Sequence, residues 1–287
     1  MKKIKRNHRL FSYIIITILG IYYLTPLIMT GVYAFGDEWG KSLLPTNFTF
    51  HWFNELFNDQ AFFLSIIRSF ILSTIVLVMI LIVMIPSVII IYLHYPKIDK
   101  LLQSISVLPY AIPGVILVTA LLKTYSKTGV PMFVVLCGTL LISPIMYMGI
   151  RNSLQAINTK QLIEAGQMLG SNMITIIFKV VLPNLRVGIV LSSIMVFSGV
   201  FGEYVLTNLL IGGRFETLRI YMLRRMNENG HLASAVMVCY FVMIFLSGII
   251  IYYFSNKQKL QLKKIKLTKK IKMSQEITNS AVEESLL

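Results

Sequence analysis

Long stretches without a single charge break up this chain, and their length limits what it can fold into. A bilayer core takes about 20 apolar residues in one helix. Six stretches approach or exceed that length: Leu10–Gly36, Ser69–Pro96, Leu101–Leu122, Gly129–Ile150, Val187–Gly213 with Glu203 as its one interruption, and Leu232–Asn256. The second has an apolar approach over Ala61–Arg68. Backbone polar groups in lipid must be bonded within the segment or a closed barrel. None of the six alternates as a lipid-facing barrel strand does. The spacing predicts an all-α, polytopic membrane protein with six transmembrane helices.

Composition agrees. Hydrophobic residues make up 56% of the 287 and charged residues only 14%, against roughly 25% charged in soluble domains. The mean hydropathy is +0.73. A disordered chain lacks such apolar content. A disulfide scaffold is excluded too, because Cys137 and Cys239 are the only cysteines and both fall inside spans, where they read as small packing residues. The first span follows Lys2, Lys3, Lys5 and Arg6. It is too long for a signal-peptide core, and no small-residue cleavage site follows, so it is expected to stay as an anchor.

The formal net charge of +15 would suggest nucleic acid in a soluble protein. Its distribution says otherwise. Nineteen of the 27 Lys and Arg fall on the side that holds both termini. By the positive-inside rule that side is the cytoplasm, and no nucleic-acid partner is expected. The chain divides into a basic cytoplasmic N-terminus (1–10), a first transmembrane helix (11–35), an outer loop (36–60), a core of five transmembrane helices (61–256) and a polybasic cytoplasmic tail (257–287). The tail's eight lysines, Lys257 to Lys272, alternate with apolar residues and suit either an anionic leaflet or solvent.

Most inner connections are short, such as the few residues around Pro96–Lys100. Segment 151–186 is long and patterned as helix–turn–helix. Asn158 can cap a helix, with Gln161 three residues on as in a capping box. Leu162, Ala165, Met168 and Leu169 recur at helical spacing. Gly170 suits a left-handed stop. Ser171 or Asn172 then opens a helix through Ile174, Ile176, Ile177 and Val180 toward Leu182-Pro183.

Glu164-Ala165-Gly166, Gly170 four residues later, and Val180-x-Leu182-Pro183 together resemble the EAA loop of binding-protein-dependent ABC importer permeases. Gly166 stands where that family has Ala, and Val180 where it has Ile. The resemblance covers about 62–253. It implies the type I ABC importer permease fold in a bacterial inner membrane. It also implies that Gln161, Glu164, Ala165, Gly166, Gly170, Leu182 and Pro183 couple the chain to a separate ABC ATPase dimer. ATP and Mg would bind that partner, with no cofactor and no catalytic residue in this chain. A second permease subunit, a paralogue or an identical copy, and an extracytoplasmic substrate-binding protein complete the implied assembly.

Pro109 and Pro113 should kink or break the third span, and the arrangement resembles the third helix of this family. Pro86 and Pro144 should bend the second and fourth. An acid within a span is a functional hypothesis by default, and Glu203 is the one acid in the fifth. Its surroundings, Phe201 to Asn208, and the later Gly212 to Leu218 resemble the polyamine and aminoethylphosphonate branch of the family. Polyamine is therefore the first expected substrate, with aminoethylphosphonate, iron or another small solute behind it. Tyr110, Tyr147, Tyr204 and Asn208 join Pro109, Pro113 and Glu203 as candidate pathway residues, although interfacial tyrosines are common. Segment 214–231 reads as a short amphipathic outer helix that would face the binding protein. No histidine pair has metal-ligand spacing. Gly40-Lys41-Ser42 lacks the first glycine of a P-loop. A secondary ion-coupled carrier is the rival class, but such carriers carry internal repeats and none is visible.

Overall fold

The structure, a computed structural model, describes residues 2–37, 45–106, 108, 114–125, 143–249 and 253. Among them there is no strand, only one antiparallel bridge between Gly36 and Phe48. The chain forms two compact units by its contacts: 1–76, 110–141 and 198–244 in the first, 77–109, 142–197 and 245–287 in the second. Four described helices are long and apolar enough to cross a membrane: Tyr13–Phe35, Gln60–His94, Met173–Leu210 and Gly230–Ile249. They match the first, second, fifth and sixth predicted spans. The third is described in part, through the helices Pro96–Ile105 and Gly114–Tyr125, and most of the fourth falls outside the described residues.

In the first unit, α1 (Lys2–Phe35) is exposed from Tyr13, at 69%, to Met29, at 45%, apart from half-buried Gly20, and packs near its end, at Ala34. That end is held by rings. His231 stacks on Tyr33 at 4.0 Å between centroids and on Trp52 at 5.4 Å. Its Nδ1 donates to the Tyr33 carbonyl at 2.9 Å, since a carbonyl can only accept. Trp52 Nε1 donates to the Gly36 carbonyl.

After α2 (His51–Asn58), Asp59 opens α3 (Gln60–His94) by accepting the Ala61 amide at 2.8 Å. The α3 sequence is apolar all round, as suits a membrane span rather than an amphipathic helix. Pro86 lies inside it. Segment 214–231 does hold a short helix, α11 (Leu218–Glu228). Its first amide, Leu218, donates to the buried Ser69 hydroxyl at 2.8 Å, meeting one of the orphan donors every helix start carries. Tyr221 Oη and Arg225 Nη2 both donate to Asp59 Oδ2 at 2.6 Å. Burial pushes the Asp59 carboxyl up, but the bonds from Tyr221, the Ala61 amide and Arg225 outweigh it and hold it below its ordinary 3.8. Burial, and then the bond to Asp59, push Tyr221 up to about 12.

In the second unit, residues 97–100 are not the bare connector the sequence suggests. Pro96 sits in the first turn of an amphipathic helix, α4 (Pro96–Ile105), and Asp99 is buried in that turn. Proline is tolerated there because the first-turn amides have no intrahelical partner. α5 (Gly114–Tyr125) belongs to the first unit by contacts.

α6 (Ser143–Ala156) packs backbone to backbone on a later helix, α9 (Leu182–Phe201). A Cβ at Gly149 would collide with Ser192 Oγ, and one at Gly188 would collide with Ser153 Oγ. Each serine bonds back to its own helix's glycine carbonyl, Ser153 to Gly149 and Ser192 to Gly188. Small residues at a four-residue interval permit such an approach in apolar surroundings, where packing replaces the hydrophobic drive.

Candidate functional site

The 151–186 segment lies between these two clasped helices, and two left-handed residues shape it. Asn158 has φ 49° and Gly170 φ 74°. The sequence assigns Asn158 to the start of a helix through its side chain, but no side-chain cap bond forms. Asn158 instead ends α6. Its amide bonds to the Gln155 carbonyl at 3.2 Å, and the buried Thr159 hydroxyl bonds to the Leu154 carbonyl at 2.7 Å. The hydroxyl stands where a Schellman turn uses a second amide. Asn tolerates the left-handed region better than other side-chain-bearing residues, so the same residue type that suits a cap serves as a stop.

Gly170 does what its sequence position suggests. Its amide bonds to the Gln167 carbonyl at 2.9 Å and the Ser171 amide to the Gly166 carbonyl at 3.1 Å, the paired bonds of a Schellman motif. Between the two stops runs α7 (Thr159–Met168).

Its buried face is Thr159 and Ile163, with Gly166 half-buried at the next turn. A Cβ at Gly166 would lie 2.8 Å from Ile176 Cδ1 and 2.9 Å from its Cγ1. Ile176 fills the space that a methyl group at position 166 would need. Most of the apolar set that marked the helix in the sequence points elsewhere: Leu162 is half-buried, but Met168 is 90% exposed, Leu169 85%, and Ala165 is exposed as well. Gln161 and Glu164 are exposed beside them. A short helix thus presents an exposed carboxylate and two bare apolar side chains at its tip.

The chain turns back through α8 (Met173–Ile176) and a wide π-turn, Ile177–Val181, into α9. Pro183 explains the widening. Its ring displaces the carbonyl four residues back and it donates no bond. In the π-turn the Leu182 amide reaches the Ile177 carbonyl, and Asn184 Nδ2 donates to the Val180 carbonyl at 2.7 Å. Leu182 is half-buried and Pro183 exposed.

Of the candidate pathway residues, Glu203, Tyr204 and Asn208 belong to the first unit and Tyr147 to the second. Pro109, Tyr110 and Pro113 lie outside the described residues. Glu203 is half-buried and opens α10 (Val205–Leu210). Its Oε1 accepts the Leu206 amide at 2.6 Å, and its Oε2 accepts the Thr207 amide at 3.0 Å and the Thr207 hydroxyl at 2.6 Å. Tyr204 and Asn208 face one another on the same turn, Asn208 Nδ2 donating to Tyr204 Oη at 3.0 Å.

Tyr147, in the second unit, is 6% exposed and donates to Asp99 Oδ1 at 2.7 Å. Arg151 Nε donates to Asp99 Oδ2 at 3.1 Å. The sequence reading missed this buried trio. Asp99 passes for a solvated loop acid, and the one visible signal is Tyr147 and Arg151 four residues apart on a helix. Tyr147 also borders a cavity of about 270 Å³ lined by apolar side chains of α3, α4 and α6, among them Val83, Val88, Leu102 and Ile105.

Comparison with known proteins decides the class. The family described as binding-protein-dependent transport system inner membrane component matches residues 89–260, more than half of the chain. The chain belongs to this family. It is a permease component of an ABC importer, a transport subunit embedded in a membrane. Two solved structures share its fold. One is the crystal structure of a bacterial ABC transporter involved in the import of the acidic polysaccharide alginate. It matches with a TM-score of 0.68 at 18% identity, over 89% of this chain and 98% of that one. The other is the bacterial alginate ABC transporter in complex with an alginate pentasaccharide-bound periplasmic protein, with a TM-score of 0.62 at 17% identity over 92% and 98%. At such identities the likeness is one of fold, the type I ABC permease fold. No curated protein sequence matches the permease.

Proposed function

We propose that this permease forms half of a substrate pathway across a bacterial inner membrane, with both termini in the cytoplasm. In this reading α7 docks on a separate ATPase dimer and carries its closure into the membrane. One observation supports the docking most: Met168 and Leu169 stand 90% and 85% exposed beside Glu164, on a helix ended by the left-handed Gly170. A second permease subunit and an extracytoplasmic substrate-binding protein belong to the same assembly, as one solved relative includes a periplasmic protein. Replacing Gly170 by Val strains φ 74°, and replacing Glu164 by Ala removes the exposed carboxylate. Both variants are expected to lose most of the ATPase that copurifies with the parent. Full copurification in both removes α7 as the docking element.

The substrate reading is narrower. Polyamine rests on the resemblance around Glu203, and a carboxylate is the group a polycation seeks. Its charge already serves three donors at the start of α10, which favours a local role. Spermidine uptake by cells carrying the transporter tests this. If polyamine is the substrate, the parent takes up spermidine and Glu203→Gln takes up less. No uptake by the parent ends the polyamine reading, and equal uptake in the variant takes Glu203 out of the pathway.

A further inference from the structure

The Asp99 trio lies at a mechanically distinctive place. Asp99 is in the first turn of α4, where the helix dipole already favours a carboxylate. Its side chain is 9% exposed and that of Arg151 16%. Both carboxylate oxygens are used: Oδ1 by Tyr147 at 2.7 Å, Oδ2 by Arg151 at 3.1 Å and by Gln103 Nε2 at 3.0 Å. Arg151 then spends a second edge on the next turn of α6, its Nη1 donating to Gln155 Oε1 at 3.0 Å. The Gln155 carbonyl accepts the amide of Asn158, the left-handed stop from which α7 departs. Polar bonds, joined through the covalent frame of Gln155 from its side-chain amide to its main-chain carbonyl, therefore lead from the buried turn of α4 to the start of the exposed helix. The close Gly149–Ser192 and Gly188–Ser153 contacts hold α6 against α9 as well.

We infer that Asp99 and Arg151 are positioning residues that pass movement of α7 to α4. The inference rests on α7 being the ATPase-docking element. Buried ion pairs contribute little net stability over apolar replacements, so stability alone gives weak reason for one here. A charged fork shared by three turns fixes their mutual orientation, which a stack of apolar side chains does less strictly. Coupling of this kind needs a physical connection whose arrangement both ends bias.

The test uses the full complex with its copurifying ATPase in vesicles. Cys137 and Cys239 are replaced by Ala, and a nitroxide is placed on Lys100→Cys, an exposed position beside Asp99. Spectra are compared with and without ATP plus vanadate. In the parent the label should respond to the nucleotide. In Asp99→Asn/Arg151→Gln, which removes both charges together, the ATPase should copurify and hydrolyse ATP within about twofold of the parent, while the label's response falls at least about fivefold. A merely structural staple predicts a full response once the double variant has folded, and that result overturns the inference. So does a parent label that ignores the nucleotide. Should the double variant fail to fold, Arg151→Lys keeps the charge and loses the fork. A reduced response there supports the inference and an unchanged one overturns it. Failure of the docking reading looks different: no ATPase copurifies with the parent.

Discussion

The permease builds one three-residue device twice. On α6, Tyr147 and Arg151 lie four apart and both donate to Asp99; on α11, Tyr221 and Arg225 lie four apart and both donate to Asp59. In each case the aspartate sits at a helix start. Asp59 accepts the Ala61 amide at the head of α3, and Asp99 lies in the first turn of α4. Four residues is the spacing that puts two side chains on one helix face, so a tyrosine and an arginine can close on one carboxylate.

The surroundings differ. In the second-unit trio the carboxylate and guanidinium side chains are 9% and 16% exposed; in the first-unit trio they are 23% and 30%. Arg225 is also shared with Glu228 at 2.8 Å, and its face lies over the Tyr221 ring at 5.1 Å. Burial pushes the Arg225 guanidinium down, and its bonds with Tyr221, Glu228 and Asp59 more than reverse it. The charged pair is thus nearly dry in one unit and wetter in the other, although both phenols are buried, and water decides what each charge is worth.

The largest effect follows from that. Asp99→Ala strands a guanidinium, a phenol and an amide in a buried site, which costs about 3–5 kcal/mol. Asp59→Ala strands the buried Tyr221 phenol but leaves Arg225 with Glu228 and solvent, and about 1–3 kcal/mol is expected. Thermal unfolding of both variants in detergent measures the difference. Equal losses would mean that geometry rather than burial sets the worth of the device.

pH separates the trios next. Asp59 is depressed in the folded chain, so its contribution is fully present above its ordinary value and is lost as pH falls through the lower folded one, below 3.8. Tyr221 is raised from 10.0 to about 12, so its contribution is intact below 10 and is lost as pH climbs from 10 toward 12. The stability gap between the parent and Tyr221→Phe should therefore be flat from about pH 5 to 9 and shrink above 10. A gap that changes near neutrality would place some other group in control of the trio.

How much of this was legible beforehand depends on the kind of signal. Apolar length survives any tertiary context, so four of the six spans stand as described helices. Gly170 was legible because a left-handed stop depends on its own residue and two carbonyls behind it. Asn158 was legible only as a residue that favours helix ends. Which end it serves depends on Thr159 reaching Leu154, a choice the sequence leaves open. The stripe Leu162, Ala165, Met168 and Leu169 marked a helix correctly but not its buried face, which is Thr159, Ile163 and Gly166. Periodicity says that a face is apolar, not whether this chain or a partner covers it. The two trios were invisible because each joins residues about 50 or 160 positions apart, and neither aspartate stands in an apolar run that would have drawn notice.

The smallest effect sharpens the comparison at its wet end. Glu228 is 53% exposed and pairs with Arg225 three residues before it. Pairs of this kind hold two long side chains in water for a small Coulomb gain that salt screens. Glu228→Gln should cost about 0.2–1 kcal/mol in low salt and almost nothing in 1 M salt, where the screening length shrinks to about 3 Å. Asp99→Ala should keep its full cost in both, because no ions reach a side chain that is 9% exposed. Running the two melts side by side in low and high salt reads the dielectric contrast directly. A Glu228→Gln loss that persists in 1 M salt would show that α11 excludes solvent more than its exposure implies, and the two trios would then differ in degree only.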